Sequence, residues 1–356
     1  MKKTVAVIFG GYSPEYGVSL VSAYSIINAI NRDKYDVFMI GISREGKWYS
    51  FTGDTEDIRS DKWISDERCL RRAIISPSRG EGILECENGC ARLRPVDVVF
   101  PVLHGKHGED GTVQGLCELA GIPVVGSGSA SSALCMDKDR AHRLVSLHGI
   151  RHPKSICFEH VPEENALLNA AGKLQLPLFV KPVKAGSSYG ISKVEHSSEL
   201  LKAVETALIY DDAVIIEENV EGFEAGCAVI GNHDLITGRI DEIELAGGFF
   251  DYDEKYTLKT SKIHMPARID KETEQRLQDA AKIIYRALGC RGYARVDMFL
   301  TKQREIVFNE VNTIPGFTPF SRFPNMMKGV GVNFEELVDK LIQLSYRGEA
   351  DDRQYL

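Results

Sequence analysis

Two short stretches carry charged and amide groups at a spacing that could do chemistry. In 295-RVD-297, Arg295 and Asp297 stand two apart, so they share one face of a strand. In 310-EVN-312, Glu310 and Asn312 do the same. If the two strands pair, Asp297, Glu310 and Asn312 make a cluster of hard oxygen donors. Such a set suits Mg²⁺, which prefers carboxylates and phosphate oxygens to nitrogen or sulfur. A polar strand face turned to solvent would read similarly. The same faces carry Phe299, Ile306 and Phe308, however, so these charges fall where burial is expected.

Other stretches could handle phosphate. In 181-KPVKAGSSYG-190, Lys181 ends an apolar strand and small residues follow, whose amides and hydroxyls can close over phosphates. No GxxxxGK[ST] occurs, so this is not a P-loop. Lys138, in 136-MDK-138, offers a second cation. The stretch 313-TIPGF-317 reads as a strand ending in a Pro-Gly turn, and Gly316 could bring its N–H close to a developing oxyanion. Glu15 heads the first helix, as a grip for a cationic amine or as an ordinary N-terminal acid. In 104-HGKHGEDG-111 the glycines argue for a loop, with His104 placed to orient a substrate and His107 without a role. The stretch 249-FFDYDEKYTLKT-260 fits neither helix nor strand, and reads as a lid or a solvated loop. Neither 10-GGYSPEYGVS-19 nor 126-GSGSAS-131 carries GxGxxG, which leaves a nicotinamide dehydrogenase a weak alternative.

The elements that must hold these groups alternate along the chain. Strands are expected at 5–11, 36–42, 96–105 and 122–126, with helices at 18–30 and 131–149. After Pro153 come a strand, the small-residue loop and another strand over 176–194, a helix at 197–209 and a strand at 213–222. The third part holds 223–231, a helix at 271–289, strands at 294–300 and 305–312, and a helix at 334–344. The pattern is α/β with added α+β parts, enough at 356 residues for two or three domains. We divide it into an N-terminal part, 1–135, a central part, 136–222, and a C-terminal part, 223–356, with a lid over 247–264.

Bulk properties narrow the partners. The net charge of −8 does not imply nucleic acid, so any anion site must concentrate its cations locally. The apolar run VAVIF is too short for a signal peptide, and no run is long enough to span a bilayer. A cytoplasmic protein is expected. The eight cysteines are scattered; Cys86 and Cys90 stand four apart, but no second pair completes a zinc set, so free thiols are expected.

Taken in order, GGYSPEYGVSL, LHGKHGEDGTVQG, MDK, LFVKPVKAGSSYGISKV, IIEENVEGFE, FFDYDEKY, GYARVDMFL and NEVNTIPGFT resemble the D-alanine–D-alanine ligase family. The resemblance implies the ATP-grasp fold: three domains, the first Rossmann-like, with ATP between the central and C-terminal sheets. It also implies a homodimer. Residue by residue, Lys138 and Lys181 become phosphate contacts, Glu217, Glu218, Asn219 and Val220 the adenine-side segment, and Glu224 a ribose partner. Asp297, Glu310 and Asn312 match the Mg²⁺ ligands, usually for two ions. Arg295 and the Gly316 amide match the oxyanion stabilisers. Glu15 matches the group that binds the first substrate's ammonium, with Ser187 and Tyr256 completing a hydrogen-bonded trio and Lys255 reaching from the lid toward phosphate. The implied reaction passes through an acyl phosphate. A non-catalytic binding protein of this shape is the alternative, against which the complete ligand set speaks.

Four residues bear on the second substrate. Where the family lid reads close to FYDYxAKY, this chain has Phe250 for a tyrosine and Glu254 for an alanine, while Lys255 and Tyr256 are kept. After TIPGFT the family usually carries serine and then leucine or methionine; here Ser321 is followed by Arg322. A guanidinium offers donors to an acceptor hydroxyl. These departures resemble the D-alanine–D-serine ligases of vancomycin-resistant bacteria, so D-serine is the expected acceptor, with Glu254 holding Arg322 or a neighbouring base. The alternative is a D-alanine–D-alanine ligase of cell-wall synthesis.

Overall fold

The computed structural model describes residues 2–87, 89–186, 189–245 and 261–352. Three sheets organise them. The first begins as the apolar runs predict: β1 (Lys3–Gly10) enters α1 (Tyr16–Ala29) and returns as β2 (Tyr35–Ile42), parallel to β1. Val5 to Phe9 are fully buried, as a strand covered on both faces must be. β7 (Val98–Pro101) adds a parallel strand on the other side of β1.

The expected alternation of strand and helix breaks after β2. Four antiparallel strands follow, β3 (Trp48–Phe51), β4 (Leu70–Ile75), β5 (Ile83–Glu87) and β6 (Cys90–Arg94), giving the order β6-β5-β4-β3-β2-β1-β7. In the β5–β6 hairpin Cys86 lies opposite Ala91 and Cys90 opposite Glu87. Directly opposed residues share a face and successive ones alternate, so the two thiols point to opposite sides of the hairpin. All eight cysteines are free.

Two further expectations are corrected. The stretch 122–126 makes only a single parallel bridge, Val99 to Val124, because Pro123 has no N–H and Gly126 ends the run, leaving too little ladder. The single helix expected over 131–149 is two, α4 (Ser129–Met136) and α5 (Lys138–Ser146). Asp137 takes extended dihedrals between them, and its carboxylate accepts the Arg140 N–H at 2.9 Å, capping the second. That break places Lys138 at the start of α5.

The second sheet has the order β10-β9-β11-β8 and is antiparallel throughout, from β8 (Ser155–Phe158), β9 (Leu178–Pro182), β10 (Ser192–Val194) and β11 (Val214–Glu218). The third is also antiparallel, with β12 (Gly222–Ile230), β13 (Ile236–Leu245), β14 (Ser261–His264), β15 (Tyr293–Thr301) and β16 (Ile306–Asn312) in the order β14-β13-β12-β15-β16. The long helix α8 (Lys271–Ala287) buries Leu277, Ala280, Ala281 and Ile284 against this sheet. The strand β16 ends at Asn312, so 313-TIPGF-317 is loop where a strand end was expected.

Candidate active site

β15 and β16 do pair, and in the register that matters: Asp297 faces Glu310, and Arg295 faces Asn312. A register shift follows Asp297, so the carboxylates stand beside an irregularity in the ladder. Asp297 is 1 % exposed and its two oxygens are shared. Arg295 Nε and Nη2 donate to it at 2.8 and 2.7 Å, and Asn312 Nδ2 donates to Oδ2 at 2.9 Å. Among the described residues no group of three or more His, Cys, Asp or Glu side chains could hold a metal alone. Two carboxylates and an amide on neighbouring strands do fit an ion that completes its shell with phosphate oxygens and water, which is how Mg²⁺ binds.

The two lysines converge from different elements. Lys181, on β9, meets Glu217 of β11 with Nζ 2.8 Å from Oε2, both buried. Burial pulls the Lys181 ammonium down, but the Glu217 carboxylate outweighs it and holds it above the ordinary value. Burial likewise pushes Glu217 up, and Lys181 brings it below the usual range. Lys138 donates to the Ala185 carbonyl at 2.8 Å and stands 3.6 Å from Glu310 Oε2. Glu218 turns its side chain away, accepting Arg151 Nη2 at 2.9 Å and the Lys154 N–H at 3.1 Å. Glu218 ends β11, and Asn219 and Val220 follow directly on it.

A cleft of about 460 Å³ runs between the first part of the chain and the third sheet. Glu15, His104 and Gly316 border it, together with Arg295, Asn312, Ser321 and Arg322. Glu15 occupies the position before α1 without capping it. A Cβ added at Gly186 would lie 3.3 Å from Glu15 Oε2, so the small-residue loop closes on this carboxylate. The Gly316 turn is held from across the cleft: His104 Nδ1 lies 2.9 Å from the Ile314 carbonyl, and Glu109 accepts the Ile314 N–H. Ser321 Oγ accepts the Thr318 N–H at 3.0 Å and tightens the same turn.

Arg322 opens α9 (Arg322–Lys328), with its side chain 10 % exposed. The expected partner Glu254 lies outside the described residues; the partners described for Arg322 are three other carboxylates. Nε and Nη2 donate to the two oxygens of Asp241 at 2.7 and 2.9 Å, Nη1 donates to Glu224 at 3.2 Å, and Asp297 stands 3.5 Å from Nη2. Asp241, fully buried on β13, also accepts the Gly226 N–H at 2.9 Å. Gly226 lies between Asp241 and Asp297 in the sheet, and a Cβ there would come within 2.4 Å of Arg322 Nη2. The missing side chain is the slot the guanidinium enters. Glu224, expected at a ribose, spends one oxygen on Arg322; burial and the Asp297 charge push its carboxyl up.

Asp241 and Glu109 were not legible as site residues. Asp241 sits in 240-IDEIEL-245, which reads as an ordinary half-polar strand until Gly226 is placed beside it. Ser187, Phe250, Glu254, Lys255 and Tyr256 fall outside the described residues, as does most of the expected lid; its last residues, 261–264, form β14.

Paired acidic strands, two converging lysines and three such sheets define an ATP-grasp ligase. The chain belongs to the D-alanine–D-alanine ligase family: the D-ala D-ala ligase N-terminus matches residues 4–127 and the C-terminus residues 148–343. It is an ATP-dependent enzyme that joins D-alanine to a second acceptor, and the dehydrogenase and non-catalytic readings fall away. It is 42% identical over 344 residues to the vancomycin C-type resistance protein VanC1 of Enterococcus gallinarum, covering 96% of this chain and 98% of that one. It is 41% identical over 350 residues to the D-alanine–D-alanine ligase of Caldicellulosiruptor bescii, covering 97% and 95%. The solved VanG D-Ala:D-Ser ligase of Enterococcus faecalis superposes with a TM-score of 0.91 at 58% identity, covering 97% of this chain and all of that one. No helix among the described residues is long and apolar enough to cross a membrane.

Proposed function

We propose that this chain is a D-alanine–D-serine ligase that makes a peptidoglycan-precursor dipeptide for vancomycin resistance. The observation that carries the acceptor is the Arg322 guanidinium, fixed by Asp241 on the wall of the cleft that also holds Arg295 and Gly316. The 58% identity to a D-Ala:D-Ser ligase supports it. The near-equal identities to VanC1 and to a D-alanine–D-alanine ligase do not discriminate.

In this reading Glu15 receives the ammonium of the first D-alanine, and His104 orients it. Its carboxylate attacks the γ-phosphorus of ATP, ADP leaves, and an acyl phosphate forms. Lys138 and Lys181 offset the repulsion between the two anions. Asp297, Glu310 and Asn312 would hold Mg²⁺, two ions by family analogy, which supplies further neutralisation of phosphate charge. The neutral amine of the second substrate then attacks the acyl carbon. Arg295 and the Gly316 N–H take the oxyanion, and phosphate departs with the mixed-anhydride bond. Arg322 donates to the acceptor's hydroxyl.

Ser187, Lys255 and Tyr256 complete the donor side, and Phe250 and Glu254 the acceptor side, as the lid motif implies. The division into 1–135, 136–222 and 223–356, the homodimer and the cytoplasmic location belong to the same proposal. Competition between D-serine and D-alanine as acceptor, scored as kcat/KM with ATP and Mg²⁺, tests it. Preference for D-serine is expected; equal or better use of D-alanine makes the chain a D-alanine–D-alanine ligase.

A further inference from the structure

His142 lies four residues beyond Lys138 on α5, on the same face of the helix. It is 1 % exposed and touches both sheets that flank the nucleotide region. Its Nε2 lies 2.8 Å from the carbonyl of Asn309, the residue before Glu310 on β16. A carbonyl can only accept, so Nε2 carries the hydrogen. Its Nδ1 faces Glu217 Oε1 at 3.8 Å, and neither atom has a hydrogen-bond partner among the described residues. The other oxygen of that carboxylate holds Lys181 at 2.8 Å. His152 stacks on the ring at 4.9 Å between centroids, and Phe308 meets it edge-on at 5.5 Å.

The ring therefore has almost no freedom to tilt. Burial favours the neutral imidazole over the charged one. A neutral ring presents its lone pair at Nδ1, so it offers Glu217 no competing donor and shuts water away from Oε1. The carboxylate then has one strong partner, the Lys181 ammonium. At the same time the Nε2 bond fixes the backbone next to Glu310. No catalytic step of the ligase reaction uses His142, yet it contacts the partner of one phosphate-binding lysine and the strand of a metal carboxylate.

We infer that His142 is a positioning residue for ATP, holding Glu217 behind Lys181 and setting β16 against it from the other side. The inference rests on the reading of Lys181 as a phosphate contact. Loss of the ring frees Glu217 to rotate and lets β16 relax, so the lysine and the metal carboxylates no longer meet the phosphates together.

The test uses steady-state kinetics of the full chain with ATP, Mg²⁺ and the D-amino acids. His142→Ala is expected to raise KM for ATP roughly three- to tenfold, the scale of one lost hydrogen bond, with KM for D-alanine unchanged. His142→Gln, whose amide nitrogen reaches the Nε2 position, is expected to recover part of the loss. In a Lys181→Ala background, His142→Ala should cost less than it does alone, because the part of its effect that passes through the lysine is already lost. If His142→Ala folds poorly, His142→Gln alone decides, its KM for ATP lying above that of the wild type at similar Tm. A variant that lowers Tm and leaves KM for ATP unchanged overturns the inference, as does full additivity with Lys181→Ala. If Lys181→Ala itself leaves KM for ATP unchanged, the phosphate reading of Lys181 falls and takes the inference with it.

Discussion

Replacing Arg322 with leucine removes one guanidinium and does two separable things. The first is to stability. Asp241 is buried, and without Arg322 it keeps, among the hydrogen-bond partners in the described residues, the Gly226 N–H, so breaking this pair costs about 3–5 kcal/mol. The second is to acceptor choice, and its size follows from a count of donors. Arg322 has five N–H groups. Two bond Asp241, one bonds Glu224, and another on Nη2 is turned toward Asp297 at 3.5 Å. Among the described residues one Nη1 hydrogen is left, and it is the one available to a substrate hydroxyl. A single hydrogen bond from a charged donor contributes about 1.5–3 kcal/mol, which is roughly a ten- to hundredfold change in relative kcat/KM. The assay is dipeptide formation from D-serine and from D-alanine with one preparation of Arg322→Leu, so that any unfolded fraction cancels in the ratio. The ratio should move toward D-alanine by that factor. The double variant Arg322→Leu, Asp241→Asn should regain much of the lost Tm and keep the altered ratio. A folded Arg322→Leu enzyme with the wild-type ratio would refute the assignment of the guanidinium to the acceptor.

Gly226→Ala places a methyl group within 2.4 Å of Arg322 Nη2 and 2.6 Å of Asp241 Oδ1, so it should lower Tm and shift the acceptor ratio in the same direction as Arg322→Leu, read by melting and the same competition. Asp297→Asn should lower ATP-dependent phosphate release by about a hundredfold or more and weaken its dependence on Mg²⁺, measured by titrating the metal. Cys86→Ser with Cys90→Ser should change stability by less than about 0.5 kcal/mol, and a zinc chelator should leave Tm unchanged, because the two thiols face opposite sides of their hairpin.

Much of the frame was legible because it is written in local patterns. The apolar runs at 5–11 and 36–42 are β1 and β2, and the spacing in 295-RVD-297 and 310-EVN-312 anticipated that these side chains would cluster if the two strands paired, as β15 and β16 do. Patterns fail where one residue decides. Asp137 breaks an otherwise continuous helical stretch by capping its second half, and the strands β3 to β6 are short and half exposed, with little periodicity to show them.

What the sequence by itself determined is the set of chemical groups and most of the strands and helices that carry them: paired acids two apart, a lysine at a strand end, and motifs in family order. Those depend on side-chain period and on turn chemistry, which act over a few residues. Only the tertiary structure decided how the charges are shared. Arg322 answers to Asp241, 81 residues away in the chain, through a slot left by Gly226, and His142 meets Glu217 and Asn309 from two different sheets. A buried charge must find partners wherever the fold brings them, and no local pattern records which they are.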